Sequence, residues 1–208
     1  MTRYGLVVDT KQCTGCHTCA VTCKYAYNLP ANVWYDWVHT DNGGGAMDAM
    51  VGTYPNCSVS YRPVSCMHCD NPACVEVCPT ASIEKREDGI VVQNSETCIG
   101  CQSCIAACPY EGVRTLVDSE PAFHHDFPMG VPEAQEHLGN TVEKCNLCYK
   151  RVDAGEKPYC VEACPARCRL FGDFDDPESD VSKALGGRDY ERLMEEGGTE
   201  PNIYYLLK

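Results

Sequence analysis

Residues 98–109 have the sequence Cys98-Ile99-Gly100-Cys101-Gln102-Ser103-Cys104-Ile105-Ala106-Ala107-Cys108-Pro109. The first three cysteines follow one another at intervals of three residues, and the fourth comes four residues later, directly before proline. Three thiolates at this spacing can wrap one corner of an iron–sulfur cubane, and the full pattern is typical of [4Fe–4S] ligation. We therefore interpret the chain as one that folds around iron–sulfur clusters.

Three further quartets of cysteines repeat this pattern along the chain. They are Cys13, Cys16, Cys19 and Cys23; Cys66, Cys69, Cys74 and Cys78; and Cys145, Cys148, Cys160 and Cys164. In total, 16 of the 18 cysteines fall into quartets, and three quartets end in Cys-Pro, whereas Lys24 follows the first. The first two cysteines of the second and third quartets are related by a shift of 32 positions, which indicates an internal repeat like that of a two-cluster ferredoxin.

Two other kinds of cysteine chemistry compete with cluster ligation. A disulfide framework is disfavoured because cysteines three residues apart are poorly placed to pair with each other. A zinc site combines one Cys-x2-Cys pair with a distant second pair, and the 145–164 quartet alone would satisfy that pattern. The 13–23 and 98–108 quartets do not, because a third close cysteine has no place in the usual tetrahedron. The sequence therefore favours four [4Fe–4S] clusters.

The quartets predict an α+β fold of two ferredoxin-like two-cluster units with little regular secondary structure, plus loop insertions and a C-terminal helix. Residues 58–117 form one unit, and residues 1–30 and 143–175 form the other, so the first and last quartets must meet in space. Residues 31–57 and 118–142 are insertions, and residues 176–208 are a C-terminal helix and tail. The helix is predicted over 181–196, and the apolar tail 203–207 is expected to dock because exposing it to water is costly.

Local patterns predict the remaining elements. Strands are expected at 4–9, 58–64, 113–117 and 169–174, a hairpin at 81–85 and 89–92, and a helix at 18–27. The run Gly43-Gly44-Gly45 predicts a loop. In the same insertion Trp34, Tyr35 and Trp37 are expected to be buried locally, with a partner-facing patch as the alternative.

In a two-cluster ferredoxin the fourth cysteine of each quartet crosses to the other cluster of its unit. The expected ligand sets are Cys66, Cys69, Cys74 with Cys108; Cys98, Cys101, Cys104 with Cys78; Cys13, Cys16, Cys19 with Cys164; and Cys145, Cys148, Cys160 with Cys23. Cys57 and Cys168 are left over and are expected to be small buried residues. The cysteine–proline pair at 164–165 favours Cys164 over Cys168 as a ligand.

Several other residues have two possible roles. The basic residues beside cluster cysteines either tune cluster potentials or are surface charges; they are Lys24, Lys144, Lys150, Arg151 and Arg167. The pair His124-His125 is either a metal or quinone ligand or, as we expect for a proline-rich loop, exposed and polar.

Charge and composition limit the possible functions. The formal net charge of −13, to which oxidised clusters would add, should repel nucleic acid. No apolar run approaches the roughly 18 residues that cross a bilayer, and the N-terminus has no secretory or twin-arginine pattern. We find no nucleophile–base pair, glycine-rich phosphate loop or histidine–carboxylate cluster in the sequence. Electron transfer is therefore the expected function, with no catalytic residues.

The order and spacing of the quartets resemble those of the iron–sulfur (beta) subunit of the dimethyl sulfoxide reductase family of molybdopterin oxidoreductases. The resemblance covers about residues 4–175 and includes the eleven-residue gap between Cys148 and Cys160 and the four-residue gap between Cys69 and Cys74. Further matching segments are Tyr4-Gly5-Leu6-Val7-Val8-Asp9, Lys85-Arg86-Glu87-Asp88-Gly89 and Glu143-Lys144-Cys145-Asn146-Leu147-Cys148. Related nitrate-reductase subunits carry tryptophan at the position of Cys101 and hold a [3Fe–4S] cluster, so cysteine here implies four cubanes.

The resemblance implies a subunit that relays electrons to or from a large molybdopterin (bis-MGD) catalytic subunit of an anaerobic respiratory-type reductase. A membrane quinol-oxidising subunit often completes such complexes. In this family the catalytic partners act on sulfoxides, sulfur oxyanions, arsenate or aromatic hydroxyl compounds, and nothing in the chain names the substrate. The expected location is the outer face of the cytoplasmic membrane, reached by co-export with a signal-bearing partner; the cytoplasm is the alternative.

Two other functional hypotheses remain open at the level of sequence. The chain could be a free soluble polyferredoxin that carries electrons among several enzymes, or a structural zinc protein that metal analysis would identify. A fixed subunit should bury Trp34, Trp37 and the tail 203–207 against its partner, whereas a free carrier should not.

Overall fold

The computed structural model describes residues 2–40, 50–127, 129–132 and 134–207. The predicted loop at Gly43-Gly44-Gly45 lies outside the described residues. The strands are β1 (Tyr4–Asp9), β2 (Asp36–Thr40), β3 (Val51–Thr53), β4 (Asn56–Ser58), β5 (Tyr61–Ser65), β6 (Ile83–Lys85), β7 (Val91–Gln93), β8 (Arg114–Leu116), β9 (Val142–Lys144), β10 (Arg169–Asp173), β11 (Tyr190–Arg192) and β12 (Ile203–Leu206). The helices are α1 (Thr18–Ala26), α2 (Ala73–Glu76), α3 (Ser103–Ala106), α4 (Tyr149–Asp153), α5 (Tyr159–Glu162) and α6 (Asp180–Leu185), with a 3-10 turn at Glu195–Gly197. The fold is α+β, with short elements throughout.

Strand β1 is the centre of a four-stranded sheet with the order β10-β1-β12-β11. It pairs antiparallel with β10, from Tyr4 opposite Asp173 to Val8 opposite Arg169, and parallel with β12 on its other edge. Its valines face two apolar layers, because Val7 and Val8 are both completely buried. The pairing brings the segment before the first cysteine quartet against the segment after the last one.

Each short helix that belongs to a quartet carries the third cysteine of that quartet at its second position. These cysteines are Cys19 in α1, Cys74 in α2, Cys104 in α3 and Cys160 in α5. Three of the helices end before a Cys-Pro pair, because proline disfavours helical geometry in the residue that precedes it. Lys24 takes the place of proline after Cys23, and α1 therefore continues to Ala26.

Two of the expected elements differ from the structure. The segment expected as one strand at 58–64 is split into β4 and β5, and β5 pairs with β2 instead. The helix expected over 181–196 ends at Leu185, and Tyr190–Arg192 is a strand. Gly186 and Gly187 explain the early end, since glycine is unfavourable inside helices and the three-residue strand gains main-chain hydrogen bonds to β12.

The apolar tail forms β12 and is buried inside this chain. Tyr205 is completely buried, and its hydroxyl donates a 2.8 Å hydrogen bond to the carbonyl of Pro63. The tail is therefore not available as a partner surface. No helix in the described part of the chain has the length and apolar character needed to span a bilayer.

The second insertion packs on the first through a buried polar network. His137 Nδ1 lies 2.8 Å from Glu143 Oε2, and its Nε2 lies 2.8 Å from the carbonyl oxygen of Tyr27. The Tyr35 hydroxyl donates a 2.9 Å hydrogen bond to the same Glu143 carboxylate. Because both nitrogens of His137 face oxygen atoms that can accept hydrogen bonds, the network favours the doubly protonated imidazolium. Burial opposes this charge, but the hydrogen bond and attraction to Glu143 raise the pKa of His137 above 6.5.

We predict that Tyr205→Ala destabilises the protein by about 3–5 kcal/mol, because it removes a buried aromatic ring from the central sheet. Tyr205→Phe should cost only about 1 kcal/mol, the usual net contribution of one hydrogen bond. Leu207→Ala, at the exposed end of the same tail, is the control and should change stability by less than about 0.5 kcal/mol. Urea unfolding of the anaerobically prepared holoprotein measures these changes, and equal effects of all three variants would contradict the packing.

We predict that His137→Gln destabilises the protein in a pH-dependent way, by about 1–3 kcal/mol at low pH. The folded-state pKa of His137 is raised above its unfolded value, so its stabilisation is complete below about pH 6.5 and is lost as pH rises through the folded pKa. The difference between His137→Gln and the unsubstituted protein should therefore shrink as pH rises above about 6.5. The control is His125→Gln, at an exposed histidine, which should show no such trend. A difference that grows with pH would contradict the charged imidazolium.

Candidate metal centres

The structure brings the fourth cysteine of each quartet to the triplet of another quartet. Cys78 lines one cavity together with Cys98, Cys101 and Cys104. Cys164 lines a second cavity together with Cys13, Cys16 and Cys19, and Cys168 lines the same cavity. We name the quartet thiols around the second cavity site I and those around the first cavity site IV.

The other eight cysteines of the quartets form two more groups. The thiol of Cys23 lies among those of Cys145, Cys148 and Cys160, and burial together with their charges raises its pKa far above the usual range. The thiols of Cys69 and Cys108 each lie near those of Cys66 and Cys74. We name these groups site II and site III, respectively.

The loop that carries each close pair of cysteines turns through a left-handed residue directly before the second cysteine. These residues are Gly15, His68, Gly100 and Leu147. At Gly100 a Cβ atom would lie 2.1 Å from the carbonyl oxygen of Asn140, so only glycine fits. The turn also points backbone N–H groups at sulfur: Leu147 donates to Cys145 Sγ at 3.4 Å.

Burial makes most of these thiols poor anions by themselves. It is the main cause that raises the pKa values of Cys19, Cys69 and Cys145 to about 12. Thiolates become stable in such surroundings only when nearby positive charge offsets their desolvation. Iron supplies that charge when a cluster is bound, and buried basic side chains can add to it.

Unpartnered hydrogen-bond donors show that the residues around the thiols fit such a group. Buried nitrogen atoms without a hydrogen-bond partner include Nε2 of His68 and Nε of Arg114 and Arg169. His68 accepts a hydrogen bond from the Val91 N–H through Nδ1 at 3.0 Å, so its proton is on Nε2. Burial and then the charges of Lys144 and Arg114 lower the pKa of His68 and keep the ring neutral. Cluster sulfur is an acceptor that these donors can use.

The basic residues expected beside the cysteines fall into two groups. Lys24 and Lys144 are buried, so the interpretation of these two as surface charges is wrong, whereas Lys150 and Arg167 are exposed. The Lys24 ammonium donates to the carbonyls of Pro30, Ala31 and Val33 and lies 4.6 Å from the ring centre of Trp34. Burial lowers the pKa of Lys24 to about 8.

Arg151, the fifth of these basic residues, lies at the surface of α4. Its side chain forms ion pairs with Glu156 at 2.9 Å and Glu162 at 2.6 Å. Its guanidinium stacks 4.0 Å from the ring centre of Tyr159. These contacts tie α4 to α5 and give Arg151 a structural role.

The two left-over cysteines differ from each other. Cys57 is exposed on β4, so its expected burial is wrong; every residue of β3 and β4 is exposed in the part of the chain that the structure describes. Cys168 is buried, and its Sγ lies 3.5 Å from Cys164 Sγ. Its thiol also bonds to Cys13: this bond lowers the pKa of Cys13 and raises that of Cys168. Cys168 therefore lies in contact with two thiols of site I.

The aromatic and histidine pairs of the insertions have mixed environments. Tyr35 is completely buried, whereas Trp37 is 38 % exposed and donates from Nε1 to the carbonyl of Gly112 at 3.1 Å. Trp34 is half-buried over Lys24. His124 and His125 are exposed, as expected for polar residues of a proline-rich loop.

Sequence reasoning missed His68, Arg114 and Arg169. A histidine between two ligand cysteines was a visible signal, because it occupies the place of glycine in the first and third quartets. The two arginines gave no such signal, since each begins a short strand some residues after its Cys-Pro pair.

Comparison with known proteins shows which class of domain this chain contains. A protein-family model described as a 4Fe-4S dicluster domain matches residues 57–124 and 117–174. A protein assigned as a dimethyl sulfoxide reductase iron–sulfur subunit from Halobacterium salinarum is 41% identical over 99% of this chain and 79% of its own length. A selenate reductase subunit from Mesobacillus selenatarsenatis is 36% identical over 98% of this chain and 72% of its own length. The arsenate respiratory reductase iron–sulfur subunit from Shewanella is 32% identical over 98% of this chain and 96% of its own length.

The fold and the grouped thiols thus define an iron–sulfur protein built from 4Fe-4S dicluster domains, and its cofactors are four [4Fe–4S] clusters. The chain belongs to the iron–sulfur electron-transfer subunits of the dimethyl sulfoxide reductase family of molybdopterin oxidoreductases. Its function is to transfer electrons through these clusters.

Proposed function

We propose that the sixteen quartet cysteines hold the four clusters in the crossed sets of sites I to IV. Each set joins the close triplet of one quartet with the fourth cysteine of another. The grouping of Cys78 with Cys98, Cys101 and Cys104 in one cavity is the observation that carries this proposal. By the same proposal, residues 1–30 and 143–175 form one two-cluster unit and residues 58–117 form the other.

We further propose that the sites form a single relay in the order I, II, III, IV. The contacts that support this order link successive sites: Asp36 lies near both Cys19 and Cys23, Cys66 lies near Cys145, and Cys74 lies near Cys104. Cys16 of site I and Cys101 of site IV are exposed at the two ends. Electrons would therefore enter at one end and leave at the other.

We propose that the partner is a large molybdopterin catalytic subunit of an anaerobic respiratory-type reductase, with a membrane quinol-oxidising subunit as a possible third member. Relatives at 32–41% identity are named for dimethyl sulfoxide, selenate and arsenate reductases and for a sulfite dehydrogenase, which supports a partner that acts on sulfur, selenium or arsenic compounds. The proposed location is the outer face of the cytoplasmic membrane, after co-export with the partner. Fractionation of cells, with enzyme markers for each compartment, tests this location against the cytoplasm.

We predict that Cys101→Ser damages site IV alone. The bound iron should fall from about 16 atoms to about 15 if a three-iron cluster forms, or to about 12 if the cluster is lost. Iron analysis and electron paramagnetic resonance of the anaerobic protein measure this. Cys57→Ser is the control, because it removes an exposed cysteine outside all four sets and should keep all the iron. Loss of a signal from site I or II in Cys101→Ser would contradict the crossed sets.

We predict that the chain co-purifies one-to-one with a large molybdopterin protein and has no substrate turnover by itself. The reason is that its chemistry consists of electron relay through thiolate-bound clusters, so the substrate must be bound by another subunit. Affinity purification of the tagged chain from anaerobic extracts, with molybdenum analysis, tests this. A free species of about 23 kDa that reduces several enzymes would instead favour the soluble polyferredoxin.

A further inference from the structure

Three basic side chains lie buried between the cluster sites. Arg169 is 3 % exposed, Lys144 is 3 % exposed and Arg114 is 6 % exposed. A buried charge is tolerated in a protein only where opposite charge or strong hydrogen bonding offsets its desolvation. The role of each cation therefore depends on which negative groups surround it.

Arg169 lies between sites I and II. It lines the cavity of site I, and the thiols of Cys19 and Cys160 are close enough for their charges to act on it. It also forms a buried ion pair with Asp36, with Nη1 at 2.6 Å from Oδ2. Its Nε has no partner. Part of its charge is thus offset by a carboxylate of the chain itself.

Arg114 lies between sites III and IV in the corresponding position. The thiols of Cys74 and Cys104 are close enough to act on it, and these are the third cysteines of their quartets, as Cys19 and Cys160 are of theirs. Its Nη1 donates to Gln93 Oε1 at 3.3 Å, and its Nε has no partner. Within the described residues, Arg114 forms no ion pair with a carboxylate. The positive charge of Arg114, unlike that of Arg169, is therefore not offset by a carboxylate among the described residues.

Lys144 lies at the junction of sites II and III. Its charge acts on the thiols of Cys74 and Cys145, and its ammonium donates to the carbonyl oxygens of Val91 and, at 2.9 Å, Cys145. In the sheet of β8 and β9, Lys144 stands directly opposite Arg114. Two like charges opposite each other on paired strands are destabilising, and more so when both are buried. This pair is understandable if anionic clusters occupy the space on either side.

We infer that Arg169, Lys144 and Arg114 are bridging cations, one at each junction of the relay, that raise the reduction potentials of the clusters on both sides. The inference rests on the proposed ligand sets. A positive charge beside a cluster favours the added electron, so a cation shared by two clusters favours reduction of both. Because Asp36 offsets Arg169 and no carboxylate among the described residues offsets Arg114, sites III and IV are favoured more strongly than sites I and II.

Potentiometric titration followed by electron paramagnetic resonance tests this inference in the full chain, prepared anaerobically with its clusters and its partner. Arg114→Gln should make sites III and IV harder to reduce, by about tenfold in the reduction equilibrium constant, which is about 59 mV for a one-electron couple. Sites I and II should not move. Arg114→Lys keeps the charge and should restore most of the shift. The matched control is Arg167→Gln, at an exposed arginine beside site I, which should leave all potentials unchanged.

Asp36→Asn gives a shift of the opposite sign in the other unit. Removing the carboxylate leaves the Arg169 charge uncompensated, so sites I and II should become easier to reduce while sites III and IV stay unchanged. A merely structural role of these residues would not produce opposite shifts confined to different sites. The signal lost in Cys101→Ser identifies site IV in these spectra.

The outcomes separate the inference from the proposed ligand sets. Iron well below sixteen atoms in the unsubstituted protein would contradict the sets themselves. If Arg114→Gln keeps its iron and its cluster potentials match those of the unsubstituted protein, the inference of bridging cations is wrong. Should Arg114→Gln fail to assemble, Asp36→Asn decides: a rise at sites I and II supports the inference, and no change or a fall overturns it.

Discussion

The burial of negative charge is the constraint on which this fold depends. The sixteen proposed ligand cysteines belong to a chain whose formal net charge is already −13, and all of them except Cys16 and Cys101 are buried or half-buried. Desolvation works against the anionic form of most of these thiols, as the raised pKa values of Cys19, Cys69 and Cys145 show. Three kinds of group offset this cost: backbone N–H groups that point at sulfur, neutral donors such as His68, and basic side chains between the sites. Cluster binding and folding are therefore energetically coupled, because folding brings the cysteines together and the clusters offset the charge of the buried thiolates.

This constraint also explains why the regular elements are so short. The cysteines themselves belong to the buried clusters of side chains, so metal sites occupy space that apolar residues fill in other domains. Strands of three residues and helices of four suffice when each needs only to position one or two thiols. Strand β1 pairs with β10 on one edge and with β12 on the other, so strands from both ends of the chain lie side by side. This pairing holds the first and last quartets together. Its stability comes from the apolar residues of β1 and the tail.

The insertions contribute structure as well as surface. The network of His137, Glu143 and Tyr35 joins both insertions to the strand that leads into the last quartet. Glu143 and Lys144 are adjacent on β9 but contact different partners. Glu143 pairs with His137, whereas Lys144 lies at the junction of sites II and III. A carboxylate is thus kept paired and away from the thiolates. The apolar tail, expected to be a candidate partner surface, instead forms the buried strand β12 of the central sheet.

The cysteine spacing by itself was enough to predict the cofactor and the number of clusters, because ligation imposes local geometry that a linear pattern records. The order of the quartets and the motifs beside them indicated the family by resemblance, and local residue patterns predicted strands such as β1 and β10. Lys24 after Cys23 likewise pointed to a first quartet unlike the others. The early end of α6 at Leu185 and the exposure of Cys57 depended on tertiary structure, since the pairing of β11 with β12 and the exposed position of the β3–β4 hairpin among the described residues decided them. The sequence also did not predict that Arg114 and Lys144 stand opposite each other on paired strands. These two residues are 30 positions apart, and only the register of β8 against β9 places both charges in one buried space between the clusters.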